Sequence, residues 1–342
     1  MEDLVMFGGA FSGRRVFVTG HTGFKGSWLT SWLLGLGAEV TGYALAPETE
    51  PSLFDALDLA ARVRHVVGDV RDRDRLTRVM QEAGPSVVFH LAAQPLVRRG
   101  YAEPHETFAT NVMGTVGLLE AARACDAVDA VVIVTSDKCY DNADTGRAFR
   151  DGDPLGGRDP YSASKGCAEL VTASYRASFF DAGRPAGIAS VRAGNVIGGG
   201  DWAPDRIIPD CVRALAAGDP VVVRNPDAVR PWQHVLEPLA GYLSLAARLV
   251  DEGSGFAGAW NFGPADEDTS RPVRWVVETF LNAWGEGSWA TPQPGAQQPH
   301  EARSLALDSG KARERLAWAP VWDATAAVGH TATWYREYYR RP

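Results

Sequence analysis

Long apolar runs are missing from this chain: no stretch approaches the roughly 20 consecutive apolar residues that a membrane span requires. The opening segment, MEDLVMFGGAFSGRR, starts acidic and has no basic region followed by a long apolar core, so it does not read as a signal peptide. Cysteine is scarce. Cys125, Cys139, Cys167 and Cys211 show neither CxxC nor Cys/His metal spacing, so the expectation is free thiols in a reducing compartment and no metal site. Basic blocks are absent as well. With 34 Lys and Arg against 42 Asp and Glu the formal charge is −8, and the scattered arginines suit a small anionic ligand rather than nucleic acid. Internal repeats and low-complexity tracts are also lacking. What remains is a protein expected in the cytoplasm, with no membrane or nucleic-acid partner. At 342 residues of ordinary composition it is long enough for one large α/β unit and a smaller lobe.

What the chain does have is a regular alternation of short β-branched runs with helical segments. Strands are expected at 15–19, 39–45, 64–67, 86–91 and 131–134, and helices at 27–35, 72–82 and 104–124. That order predicts βαβ units, hence a Rossmann-type, doubly wound parallel sheet of the α/β class with helices on both faces. Near residue 190 the pattern changes. Residues 188–192 are still strand-like, but Gly198-Gly199-Gly200, many prolines and tryptophan-rich patches follow. The expected division is a dinucleotide-binding domain over 12–194, with some chain returning to it near 230–265, and a smaller α/β C-terminal lobe over 195–342 for the substrate. Thr291 to Pro299 (TPQPGAQQP) reads as a surface loop.

The first motif is Gly20-x-x-Gly23-x-x-Gly26, set directly between a strand and a helix. Glycines let the backbone turn tightly and approach a pyrophosphate, and the helix N-terminus offers unpaired N–H groups and a positive dipole end. Gly20, Thr22, Gly23, Phe24 and Gly26 are therefore candidate cofactor contacts. The second strand ends in Gly42-Tyr43-Ala44-Leu45, without the usual ribose-binding carboxylate before Glu48 and without a nearby arginine for a 2′-phosphate. Asp69 and Val70, after the third strand, are candidates for the adenine, and Ala92-Ala93 follow the fourth. Tyr161-Ser162-Ala163-Ser164-Lys165 places a phenol and an ammonium on one helical face, where the cation favours phenolate and makes Tyr161 usable as a base. The buried-looking run Val131-Val132-Ile133-Val134 ends, unexpectedly for a plain strand, in Thr135-Ser136-Asp137-Lys138.

Together these motifs resemble the extended short-chain dehydrogenase/reductase family over nearly the whole chain. Longer segments narrow the resemblance to the CDP-glucose 4,6-dehydratase family: GHTGFKGSWL (20–29), GYALAP (42–47), PSLF (51–54), HLAAQPLVR (90–98), TNVMGT (110–115), TSDKCY (135–140), DPLGGRDPYSASKGCAEL (153–170) and RPWQHVLEPL (230–239). That family also lacks the acid at the second strand, so the resemblance implies NAD as cofactor and CDP-D-glucose as substrate. It further implies C4 oxidation with Tyr161 as base and Lys165 beside it, and the hydroxyls Thr135 and Ser136 at the reacting sugar. Lys138 would be the C5 base and Asp137 the acid for the departing 6-hydroxyl, with one proton shared between them. Asn195, Arg206 and Arg230 fall where relatives contact the nucleotide phosphates, a task to which arginine is suited. Helices near 104–124 and 161–181 would form a homodimer interface, or part of a higher homo-oligomer. Two other readings stay open: a dehydratase or epimerase for a UDP-, dTDP- or GDP-linked sugar, and a non-catalytic NAD-binding regulator.

Overall fold

The computed structural model describes residues 6–144, 146–180, 186–265, 271–292 and 305–340. Its central sheet has seven parallel strands: β1 (Arg15–Thr19), β2 (Glu39–Ala44), β3 (Arg64–Val67), β4 (Val87–His90), β5 (Ala130–Val134), β6 (Gly187–Ala193) and β7 (Gly258–Phe262). The spatial order is β7-β6-β5-β4-β1-β2-β3. Chain order reverses between β1 and β4, and such a switch point opens a crevice beyond the strands' carboxyl ends. The central strands are Val-, Ile-, Phe- and Ala-rich because both of their faces are covered. Val16, Phe17, Val18, Val87, Val88 and Val131 to Ile133 are at most 1% exposed.

Helices close both faces. On one side, Leu29 and Leu33 of α1 (Phe24–Gly35) pack with Leu239, Tyr242 and Leu243 of a long helix, Leu236–Glu252, that comes from the C-terminal half. On the other side, Leu76 and Met80 of α2 (Arg73–Ala83) meet Leu118 and Leu119 of α3 (Gly114–Arg123). Each such buried leucine contributes about 1.5–3 kcal/mol of transfer free energy. The helix that carries the Tyr-x-x-x-Lys pair, α4 (Pro160–Tyr175), starts cleanly. Asp159 caps it by accepting from the Ser162 amide at 3.0 Å, and Pro160 occupies the first turn, where its missing N–H is harmless.

The continuous helix expected over 104–124 is interrupted. An α-turn at Pro104–Phe108 passes into a π-turn at Ala109–Met113 before α3 resumes. The wider turn brings Asn111 inward, 2% exposed, where its amide donates to Ser164 Oγ at 2.9 Å and to the Gln94 carbonyl at 3.1 Å. Such π-turns gather at functional sites. They leave no mark on apolar periodicity, which is why the sequence shows one helix.

Beyond residue 195 the chain divides its packing. Helix Leu236–Glu252 and strand β7 join the central sheet, whereas α5 (Ile207–Ala217) builds a second core with Trp202, Trp232, Val276, Phe280 and Tyr335. Three two-residue ladders accompany that core. Of the loop expected at Thr291 to Pro299, residues from 293 onward lie outside the described residues. No helix among the described residues is long and apolar enough to cross a membrane.

Candidate active site

A cleft of about 570 Å3 lies above the carboxyl ends of β1, β4, β5 and β6, between the sheet and the second core. Its wall includes every residue singled out from the sequence. Gly20, Thr22, Gly23, Phe24, Gly26, Asp69, Val70, Ala92 and Ala93 line one end. Thr135, Ser136, Asp137, Lys138, Tyr161 and Lys165 come from the end of β5 and the start of α4, and Asn195, Arg206 and Arg230 from the C-terminal half.

At the glycine end the backbone is bare for steric reasons. Gly20 adopts φ 72°, and a Cβ there would lie 2.6 Å from the Ala92 amide nitrogen. A methyl group on Gly26 would run into the Gly20 carbonyl oxygen. The loop thus presents amides at the α1 N-terminus with no side chain in the way, a cradle that fits a pyrophosphate. Thr22 Oγ1 donates to the Leu45 carbonyl at 2.9 Å and ties the loop to the end of β2. The His21 ring lies against Gly42, where any side chain would collide with it, and hydrogen-bonds His65 at 2.7 Å. Burial, helped by His65, holds the His21 pKa down at about 3. Asp69 is gripped by the Arg71 guanidinium and amide, whose hydrogen bonds hold its carboxyl below the ordinary range.

At the other end, Tyr161 is 8% exposed and its phenol is pushed up to about 12 by burial, with a hydrogen bond to Ser136 and the Arg206 charge pulling the other way. Lys165, expected to assist Tyr161, lines the same cleft; its ammonium donates to the Val134 carbonyl at 3.2 Å, and burial lowers it to about 8, with Glu169 and Cys139 raising it. Asp137 is 3% exposed. One of its oxygens accepts from Ser136 Oγ at 3.1 Å and the other has no hydrogen-bond partner among the described residues. Burial pushes the Asp137 carboxyl above its ordinary value, against the pull of Lys138, Ser136, Arg230 and Lys25. Lys138 is half-buried at the cleft wall. Arg206 pairs with Asp201 at 2.8 Å, and Arg230, 4% exposed, is fixed through the Val229 carbonyl.

Thr135 departs from its expected place among the reacting hydroxyls. Successive side chains leave a strand on opposite faces. Ser136 therefore turns to Tyr161, and Thr135 turns down to Glu169 Oε1 at 2.5 Å and the Val191 carbonyl at 3.2 Å. Two residues went unnoticed in the sequence. Glu169 sits at i+8 from Tyr161 and i+4 from Lys165, so it shares their face of α4. Lys25, in the first turn of α1 beside the glycines, reaches Tyr242 Oη at 3.5 Å; burial, Arg206 and Lys165 lower it to about 7 while Asp137 holds it up. A lysine at the apolar start of a helix was the available signal.

A glycine cradle at the switch point of a parallel sheet, facing a Tyr-x-x-x-Lys helix, defines the class: an extended short-chain dehydrogenase/reductase fold. Residues 17–331 match the family model described as GDP-mannose 4,6 dehydratase, and the chain belongs to that family. It is 50% identical over 96% of its length, and 92% of the relative's, to a CDP-glucose 4,6-dehydratase of Salmonella typhimurium. It is 30% identical to a dTDP-glucose 4,6-dehydratase of Streptomyces antibioticus, covering 94% of this chain and 92% of that one. Among solved structures, a dTDP-glucose 4,6-dehydratase double mutant from Streptomyces venezuelae with NAD bound superposes with a TM-score of 0.77 at 25% identity, over 94% and 97% of the two chains. MoeE5 in complex with UDP-glucose and NAD gives 0.78 at 26%, over 95% and 99%.

Proposed function

We propose that the protein dehydrates CDP-D-glucose to CDP-4-keto-6-deoxy-D-glucose, as an NAD-dependent hydro-lyase. One observation carries this reading: a buried carboxyl and a half-buried lysine, Asp137 and Lys138, share the cleft of the Tyr161–Lys165 pair. Oxidation at C4 needs only the phenol, a hydroxyl and the cofactor; an added acid and base serve an elimination. The 50% identity to a CDP-glucose 4,6-dehydratase favours that substrate over its UDP, dTDP or GDP counterparts. The cofactor would rest on Gly20, Gly23 and Gly26, with Asp69, Val70, Ala92 and Ala93 at its adenosine side and Lys165 at its nicotinamide ribose. Nucleotide-sugar phosphates would meet Asn195, Arg206 and Arg230. Residues 12–194, with the returning 230–265, thus serve the cofactor and mainly 195–342 the substrate. Exposed Met113, Leu170 and Phe179, on the helices around 104–123 and 160–180, support a homodimer through those helices.

The cofactor supplies the oxidising equivalent that makes C4 a ketone and the reducing equivalent that later converts C6 to a methyl group. Tyr161 takes the 4-hydroxyl proton. It does so as phenolate: burial pushes the phenol up to about 12, so the resting group first gives its proton to solvent and then accepts the sugar's as C4 is oxidised, with the Ser136 hydroxyl hydrogen-bonded beside it. The 4-ketone acidifies C5. Lys138 accepts the C5 proton, and Asp137, whose carboxyl burial pushes above its ordinary value, is the acid that gives its proton to the leaving 6-hydroxyl, which departs as water.

The test is incubation with CDP-, UDP-, dTDP- and GDP-glucose. The 4-keto-6-deoxy product from CDP-glucose supports the reading, and product from another nucleotide alone replaces it with that substrate. Lys138→Ala should accumulate reduced nicotinamide in single turnover, release little product and take no solvent deuterium into C5. Normal product formation by that variant would return the Asp–Lys pair to the status of loop charges.

A further inference from the structure

Glu169 does not line the cleft, yet from α4 it bonds to two other elements that build it, the end of β5 and β6. Its Oε1 accepts from Thr135 Oγ1 at 2.5 Å and Arg192 Nε at 2.9 Å, and its Oε2 from Ser190 Oγ and an Arg192 terminal nitrogen, both at 2.7 Å. Glu169 and Arg192 are each 3% exposed. Arg192 then reaches past the strand end. Its other terminal nitrogen donates to Tyr140 Oη at 2.6 Å and to the Asp151 carbonyl at 2.8 Å, and Tyr140 Oη donates to Asn261 of β7 at 2.7 Å. One buried ion pair therefore clasps α4, both ends of the Thr135–Tyr140 turn, β6 and, through Tyr140, β7.

A well-packed apolar pair could hold a helix on a strand equally well. What four directed hydrogen bonds to one carboxylate add is register: they fix how far the β5 end stands from α4. That distance separates Tyr161 and Lys165 from Ser136, Asp137 and Lys138. We propose that Glu169 is a positioning residue for this reaction, holding through Thr135 and Arg192 the oxidation pair against the elimination turn. The inference rests on the functional reading above. The groups coupled electrostatically to Lys165 are Glu169 on its own helix, Cys139 on the turn after β5, His90 from β4 and Lys25 from α1, while Tyr161, Asp137, Lys138 and Arg206 share its cleft. Of these, Glu169 and Cys139 pull the Lys165 ammonium up, and burial outweighs them and leaves it at about 8. Cys139 is held as a neutral thiol by burial, well above its ordinary value, which leaves Glu169 as the working anion.

Three variants of the NAD-loaded protein test this, read by reduced-nicotinamide formation in single turnover with CDP-glucose across pH. Thr135→Val leaves the ion pair whole and removes one hydroxyl. Its rate should fall about 10²-fold, the scale set by a misplacement near 1 Å, with KM unchanged and the pH profile unmoved. Glu169→Gln should lose rate similarly, keep KM, and move its alkaline limb to lower pH because Lys165 gives up its proton sooner. Glu169→Asp should restore the alkaline limb while recovering only part of the rate, since the shorter arm keeps the charge and loses the reach. Thr135→Val and Glu169→Gln proteins that bind NAD and turn over like wild type overturn the proposal. So does a rate loss in Thr135→Val matched by an equal rise in KM. Should Glu169→Gln fail to fold, the Thr135→Val result decides. Wild type without activity on CDP-glucose or the other nucleotide sugars defeats the functional reading instead.

Discussion

Two buried groups of charge lie on opposite sides of the Thr135-Ser136 backbone, and they follow opposite rules. Beneath it, Glu169 and Arg192 satisfy one another. Burial pushes the Glu169 carboxyl up, but the guanidinium and the Ser190 and Thr135 hydroxyls outweigh it and leave it below its ordinary value. Above it, Asp137, Lys25 and Lys165 share a cleft with Arg206 and Arg230 and do not match. Asp137 is raised, both amines are lowered, and one carboxylate oxygen goes unpaired among the described residues. A chain able to pair charge completely on one face of a strand leaves it strained on the next. Strain of that kind gathers where protons are moved.

The comparison breaks most visibly at Tyr161. Tyr161→Phe should slow single-turnover oxidation about 10²–10⁴-fold, the usual scale for losing a general base, while unfolding in urea stays near wild type. A variant with unchanged turnover would deny the upper cluster its chemistry. Next is Arg192→Met, which leaves Glu169 charged in the core with two hydroxyls but no cation. Its unfolding free energy should drop by about 3–5 kcal/mol, and the double variant Glu169→Gln/Arg192→Met should recover most of that loss. An unaltered urea midpoint in the single variant would show that the lower cluster carries no stability.

Smaller effects come with opposite pH signs. The Asp137 carboxyl stands above its ordinary 3.8, so the folded protein holds this proton longer than the unfolded chain. Its contribution is full below 3.8 and is lost as pH rises through the folded value. Asp137→Asn should therefore melt higher than wild type at neutral pH and match it in acid. The Glu169 carboxyl stands below its ordinary 4.5, so its stabilisation is full above 4.5 and fades as pH falls through the folded value. Melting curves for both variants across pH must diverge in opposite directions. The smallest effect serves as a control: Arg248→Ala breaks the exposed pair with Glu252, at 2.8 Å on one helix face, and should cost only about 0.3–0.5 kcal/mol.

Strands β1 to β6 were readable because each is a short run containing β-branched residues, and the cofactor end because glycines announce bare backbone. The Tyr161–Lys165 spacing is itself a geometric statement about a helix. What stayed hidden depended on direction and depth. Thr135 and Ser136 look interchangeable as letters, and only strand alternation sends one hydroxyl to Glu169 and the other to Tyr161. Glu169 reads as an ordinary polar helix residue until β6 brings Arg192 beside it from 23 positions away. The collision of His21 with any side chain at residue 42 is likewise a contact between the loop after β1 and the body of β2, invisible along the chain.

Strand β7 joins the sheet next to β6 although 64 residues separate the end of one from the start of the other, Ala193 from Gly258. During synthesis, then, β6 stands as an open edge while more than sixty residues are still to be added. Asn261, which receives the Tyr140 hydroxyl, arrives later still. A polypeptide released at residue 194 would carry every glycine of the cradle and both Tyr161 and Lys165, yet present an unpaired apolar strand to its neighbours. It should aggregate before it could bind anything.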